Sequence, residues 1–136
     1  MGKVTNNFPK KTYFCLINLY AMKITIVSGA RPNFMKIAPI TRAIRAAQEA
    51  GKKISYRLIY TGRQDDTSLD ASLFSDLDMK RPDGYLGVTG HDHSEVAAAI
   101  MLAFEKELNN HPAQVVLVVD DLTATMSCSI VAKSAV

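Results

Sequence analysis

The sequence predicts an α/β fold in three layers, a parallel β-sheet covered by helices on both faces. Three observations point to it. Short apolar runs alternate with stretches whose apolar residues recur at helical spacing. From Met22 the order reads strand, helix, strand, helix, helix, strand, helix, the pattern of parallel strands joined by helical crossovers. The chain has 136 residues, enough for one domain around one core and too few for two.

Each element has its own justification. "KITIVSG" is a short apolar run that ends in glycine, a buried strand. Phe34, Ile37, Ile40, Ile44 and Ala47 then share one face at helical spacing, with Lys36, Arg42, Arg45 and Glu49 elsewhere, and Gly51 stops the helix. "ISYRLIYTG" is a second strand with a glycine end, and Leu69, Leu73 and Leu77 mark a short helix. "KRPDGYLGVTGHDH" is rich in Gly, Pro and Asp and reads as a loop. Val96, Ile100, Ala103, Phe104 and Leu108 form the next helix, with Ser94 as its expected N-cap. "QVVLVVDD" is the most apolar strand, and "LTATMSCSIVAKSAV" begins a last helix.

Composition narrows the function classes. Apolar residues make up 48% and charged residues 21%, ordinary values for a soluble globular domain. A net charge of +3 without a long basic run gives no nucleic-acid footprint. Cys15 and Cys128 lie far apart and form no C-x-x-C, which fits a reducing compartment and a cytoplasmic location. Residues 1–21 read as an extension before a start at Met22, with a signal peptide or an extra ordered strand as alternatives. Their apolar stretch "KKTYFCLINLYA" is too short and too interrupted to span a membrane. Residues 22–136 then form the domain.

Ligands of open parallel sheets sit outside the carboxyl ends of the strands. The corners to inspect are therefore "SGARP", "TGRQDD" and "DDLTAT". In the first, Gly29 permits a sharp turn and Pro32 suits a first helical turn. The amides of Ala30 to Phe34 and the positive end of the helix attract an anion. Arg31 adds a planar fork matched to phosphate, and Lys36 adds a second cation one turn on. Against this stands a structural role, with Arg31 tying down the neighbouring loop and Lys36 solvated. There is no G-x-G-x-x-G, so no dinucleotide fingerprint.

"SGARPNFMKIAPI" resembles the first loop and helix of the non-hydrolysing UDP-N-acetylglucosamine 2-epimerases, G-T-R-P-E/N-x-x-K-x-x-P, with Ala30 in place of the threonine. "YTGRQDD" resembles their second loop, T-G/A-Q-H-x-x, and "VVLVVDDLTATMSCSIVAKSA" their V-x-V-x-G-D-x-x-S/T-T strand and helix. The three motifs fall in family order from Met22 onward. The resemblance implies a Rossmann-like N-terminal portion of a two-domain, glycosyltransferase-B type fold. It implies interconversion of UDP-GlcNAc and UDP-ManNAc for surface polysaccharide, with no metal or redox cofactor. Arg31 matches the arginine that contacts the phosphates, Lys36 the active-site lysine, and Asp121 the carboxylate of the G-D motif. Gly29, Arg31, Pro32 and Lys36 are thus the expected substrate-binding residues, and Asp121 and Lys36 the catalytic ones.

The departures carry expectations too. Asp120 stands where the family has glycine, so two adjacent carboxylates repel at a strand end. Arg63-Gln64 replaces Gln-His, which removes the histidine of the second loop and puts that loop's allosteric role in doubt. The family's next motif, H-V-E-A-G-L-R, and its uridine-binding domain are not reached by Val136. The chain is therefore expected to be the first part of an epimerase, inactive alone and prone to form a homo-oligomer through an unpaired edge. A glycosyltransferase of the same architecture and a non-catalytic binding remnant are the competing readings. His91, Asp92 and His93 lack further ligands at a metal-site spacing and read as a polar helix-capping loop. Asp120-Asp121 as an Mg²⁺ pair is disfavoured, because it follows a late strand. Cys128 reads as packing.

Overall fold

The computed structural model describes residues 21–120 and 122–135. The proposed extension, apart from Ala21, lies outside them, as does Asp121. Among the described residues four parallel strands form one sheet in the order β3-β2-β1-β4. They are β1 (Met22–Ser28), β2 (Ile54–Tyr60), β3 (Gly84–Tyr85) and β4 (Val115–Val118). The helices are α1 (Asn33–Glu49), α2 (Ala71–Asp76), α3 (His93–Asn110) and α4 (Thr123–Ala135). Central β1 pairs with β2 from Met22↔Ile54 to Ser28↔Tyr60, and with β4 from Ile24↔Val115 to Val27↔Val118.

Strand alternation divides the core. Successive side chains leave opposite faces of a strand. Ile26 packs on one face with Phe34, Ile37 and Ile44 of α1 and Leu73 and Phe74 of α2. Val27, the next residue, packs on the other with Ile100, Phe104 and Leu108 of α3 and Ala124 and Cys128 of α4. The three layers expected from the sequence follow from this. Phe34 anchors the first face, its ring 5.2 Å from Phe74 and 5.9 Å from Tyr60. Helix α1 closes with Gly51 N–H on the Gln48 carbonyl and Lys52 N–H on that of Ala47, both at 3.0 Å.

Two local readings need correction. The loop after α2 contains β3, a two-residue strand paired with Ile59 and Tyr60. It is held by main-chain bonds that leave no side-chain period. The cap of α3 is Asp92, whose carboxylate accepts from Ser94 N–H at 2.9 Å, so Ser94 is capped rather than capping. No helix among the described residues is long and apolar enough to cross a membrane.

Candidate functional site

The three corners meet at the carboxyl ends of the strands, around a cleft of about 600 Å³. Gly29 and Ala30 line it after β1, Thr61, Gly62 and Arg63 after β2, and Leu122, Thr123 and Ala124 after β4. Thr89 and Gly90, before α3, close the remaining side. The cleft is where a parallel sheet places a ligand.

The first corner is built on Asn33, a residue that sequence reasoning passed over. Asn33 is 1% exposed. Its Oδ1 accepts from the amides of Gly29 at 2.8 Å and Ala30 at 3.2 Å, and its Nδ2 donates to Asp120 Oδ2 at 2.6 Å. The amides of Asn33 and Phe34 donate to the carbonyls of Ala30 and Arg31. The loop itself therefore takes up three of the amides expected to hold an anion, and Pro32 has none. This corrects the expectation that bare amides of Ala30 to Phe34 receive the anion. A ligand here meets side chains first, or displaces the Asn33 carboxamide.

Gly29 is required for a reason other than the turn. Its backbone is not left-handed, but a Cβ added there would lie 2.7 Å from the Ala124 Cβ. The glycine lets the first corner press against the start of α4. Pro32 occupies the cap position of α1 with φ −60°. Arg31 reaches sideways, donating to the Ser68 carbonyl at 2.6 Å and lying 3.5 Å from Asp70. It thus ties down the neighbouring loop, and its guanidinium has further donors. Lys36 pairs with Asp120 Oδ1. The Asp120 carboxylate is therefore met by a cation and an amide donor. Lys36 and Arg31 flank the cleft rather than line it.

In the second corner Gly62 leaves room for the Tyr60 ring, which an added Cβ would approach to 2.5 Å. The Tyr60 hydroxyl donates to Asp66 Oδ2 at 2.6 Å. Burial, reinforced by the bond to Asp66, pushes the tyrosine pKa up to about 12. The bond from Tyr60, and then that from Ser68, holds the Asp66 carboxyl below its ordinary range. Arg63, which replaces the family glutamine, turns back in a two-point pair with Asp65 at 2.8 Å.

This pair of shifts predicts a pH profile. The depressed Asp66 pKa adds stability that is present above the unfolded carboxyl pKa, about 4, and lost as pH falls through the folded value. The raised Tyr60 pKa adds stability that is full below the unfolded value, about 10, and lost as pH rises toward the folded value. Tyr60→Phe removes the titrating phenol and the leading part of the Asp66 shift, leaving the part due to Ser68. The stability gap between the wild type and Tyr60→Phe should be widest from about pH 5 to 9 and should shrink at each end. Urea midpoints across that range measure it, and a flat gap would refute the coupling.

Cys128 is fully buried, and burial pushes its thiol up to about 12, which fits packing and not nucleophilic chemistry. Among the described residues no group of three or more His, Cys, Asp or Glu is placed to hold a metal ion.

Fold and cleft define a Rossmann-like α/β domain. A family profile described as UDP-N-acetylglucosamine 2-epimerase matches residues 46–135, and the chain belongs to that family. It is 27% identical over 112 residues to the UDP-N-acetylglucosamine 2-epimerase of Methanocaldococcus jannaschii, covering 82% of this chain and 29% of that protein. Identity is also 27% over 112 residues to the UDP-2,3-diacetamido-2,3-dideoxy-D-glucuronate 2-epimerase of Pseudomonas aeruginosa, covering 82% and 30%. The M. jannaschii enzyme, solved in complex with UDP-GlcNAc and UDP, superposes with a TM-score of 0.70 over 83% of this chain and 30% of that one. The UDP-GlcNAc-bound Neisseria meningitidis enzyme, 23% identical, shares the fold with a TM-score of 0.69 over 82% of this chain and 29% of its own. The chain thus spans about 30% of the length of these relatives. The neighbours are two-domain, glycosyltransferase-B type epimerases, and the sheet described here corresponds to part of them.

Proposed function

We propose that these residues form the sugar-diphosphate side of the active site of a UDP-N-acetylglucosamine 2-epimerase. The observation that carries the reading is the meeting of the three family corners around one cleft at the strand ends, flanked by Arg31 and Lys36. Epimerisation removes the C2 proton and breaks the C1–O bond, and the electron pair leaves with UDP. UDP then returns to the glycal as C2 is protonated on the opposite face. The departing diphosphate gains negative charge, which Lys36, Arg31 and the start of α1 are suited to stabilise. Gly29 and Pro32 shape the corner that receives it. Asp121 is assigned the proton transfer near C2, with further groups supplied from beyond these residues. No metal or redox cofactor enters this chemistry. The reading extends to a cytoplasmic homo-oligomer that supplies precursors of surface polysaccharide. The exposed Met126 and Ile130 favour the self-association.

The equal identity to the P. aeruginosa relative favours a second reading, a diacetamido-glucuronate nucleotide as substrate with the same chemistry at C2. Titration with UDP-GlcNAc, UDP and the diacetamido-glucuronate nucleotide tests both. Amide shifts are expected at Gly29, Ala30, Gly62 and Thr123, larger for the nucleotide sugar that is the substrate. No shift at millimolar ligand would refute the assignment.

A further inference from the structure

Asp120 follows β4 with φ +65°, a conformation that glycine takes freely and other residues seldom hold. An aspartate fixed there needs compensating contacts, and its two oxygens have them. Asn33 Nδ2 donates to Oδ2 at 2.6 Å, and Lys36 Nζ pairs with Oδ1. Asn33 is locked in turn by the amides of Gly29 and Ala30. The carboxylate is therefore presented to Lys36 by a chain of bonds from the first corner. Side-chain exposure is 60% for Lys36 and 24% for Asp120, so a dissolved anion reaches the pair.

A carboxylate oxygen and a phosphate oxygen make the same demand on an ammonium group. We infer that Asp120 is an internal counter-anion for Lys36, which it holds in place and for which it competes with the phosphate oxygens of a nucleoside diphosphate. The inference rests on the proposed nucleotide-sugar site and adds that Asp120 sets its affinity. A bound diphosphate must share or replace an anion already present, so the aspartate weakens binding while keeping the lysine ordered. Its own charge also repels the diphosphate directly, and only the competition for Lys36 depends on the lysine.

UDP binding to the wild type, Asp120→Asn, Lys36→Gln and the double variant separates these effects. Asp120→Asn keeps an oxygen that can accept from Asn33 and removes the charge that holds Lys36. At low ionic strength it should bind UDP about twofold to fivefold more tightly than the wild type, the scale of an exposed ion pair. When Lys36 is glutamine the gain should shrink to the smaller part that relief of direct repulsion gives. Asp120→Gly, which relieves the positive φ, should show the same gain and guards against a folding defect in the asparagine variant. Equal affinities for the wild type and both Asp120 variants overturn the inference and leave the proposed site standing. A gain of the same size without the lysine overturns it too, because simple repulsion then accounts for the effect. No UDP binding by any of the five proteins overturns the proposed site, and the inference with it.

Discussion

Asn33→Ala is expected to lower stability by roughly 2–5 kcal/mol, the cost of leaving two partly buried amides and a carboxylate without their partner. The side chain is almost fully buried, and it joins Gly29 and Ala30 on one side to Asp120 on the other. Alanine replaces none of these bonds. Urea unfolding should show a lower midpoint with an unchanged slope, since the surface exposed on unfolding stays the same. Asn33→Asp gives a sharper test. It keeps an acceptor for the two amides, loses the donor to Asp120, and sets two carboxylates face to face. Its deficit against the wild type should be large at neutral pH. The deficit should narrow as pH falls toward the unfolded carboxyl value, about 4, because the facing carboxylates share a proton already above that range. A loss below about 1 kcal/mol for Asn33→Ala would show that water serves the corner as well as the carboxamide does.

The contrast between Asn33 and its neighbours shows what a sequence reveals. Ile26, Phe34, Leu58 and Phe104 declare themselves through periodicity, because burying an apolar stripe leaves a pattern in the chain. The order of strands and helices, and the three corners, followed from the same signal. Asn33 carries no such mark. Its partner Asp120 is 87 positions away, and only the parallel pairing of β1 with β4 brings the two together. Lys36 was legible as a cation one turn into a helix, but its engagement with Asp120 needed the same pairing. Strand β3 escaped notice because two residues bonded through the main chain leave no period. Arg31 was legible in both its readings. The structure joins it to Ser68 and Asp70, where the structural reading put it, and its remaining donors leave the other open.

Gly29→Ala is expected to cost about 1–3 kcal/mol, the usual range for forcing a methyl group into a filled core. The added Cβ would sit 2.7 Å from the Ala124 Cβ and 3.4 Å from Leu122 Cδ1. The leucine end can swing away. Ala124 cannot, because its Cβ is fixed to the first turn of α4 and is buried against the core face that holds Cys128. Relief requires the β1–α1 corner or the whole start of α4 to move. Both line the cleft, so UDP affinity should fall together with stability. Ala124→Gly removes the facing methyl, at a helix-propensity cost of up to about 1 kcal/mol by itself. If close approach is what demands glycine, Gly29→Ala with Ala124→Gly should be more stable than the sum of the single changes allows, and should recover the cleft's affinity. Strict additivity would place the requirement elsewhere, in the turn that the chain makes as it leaves β1.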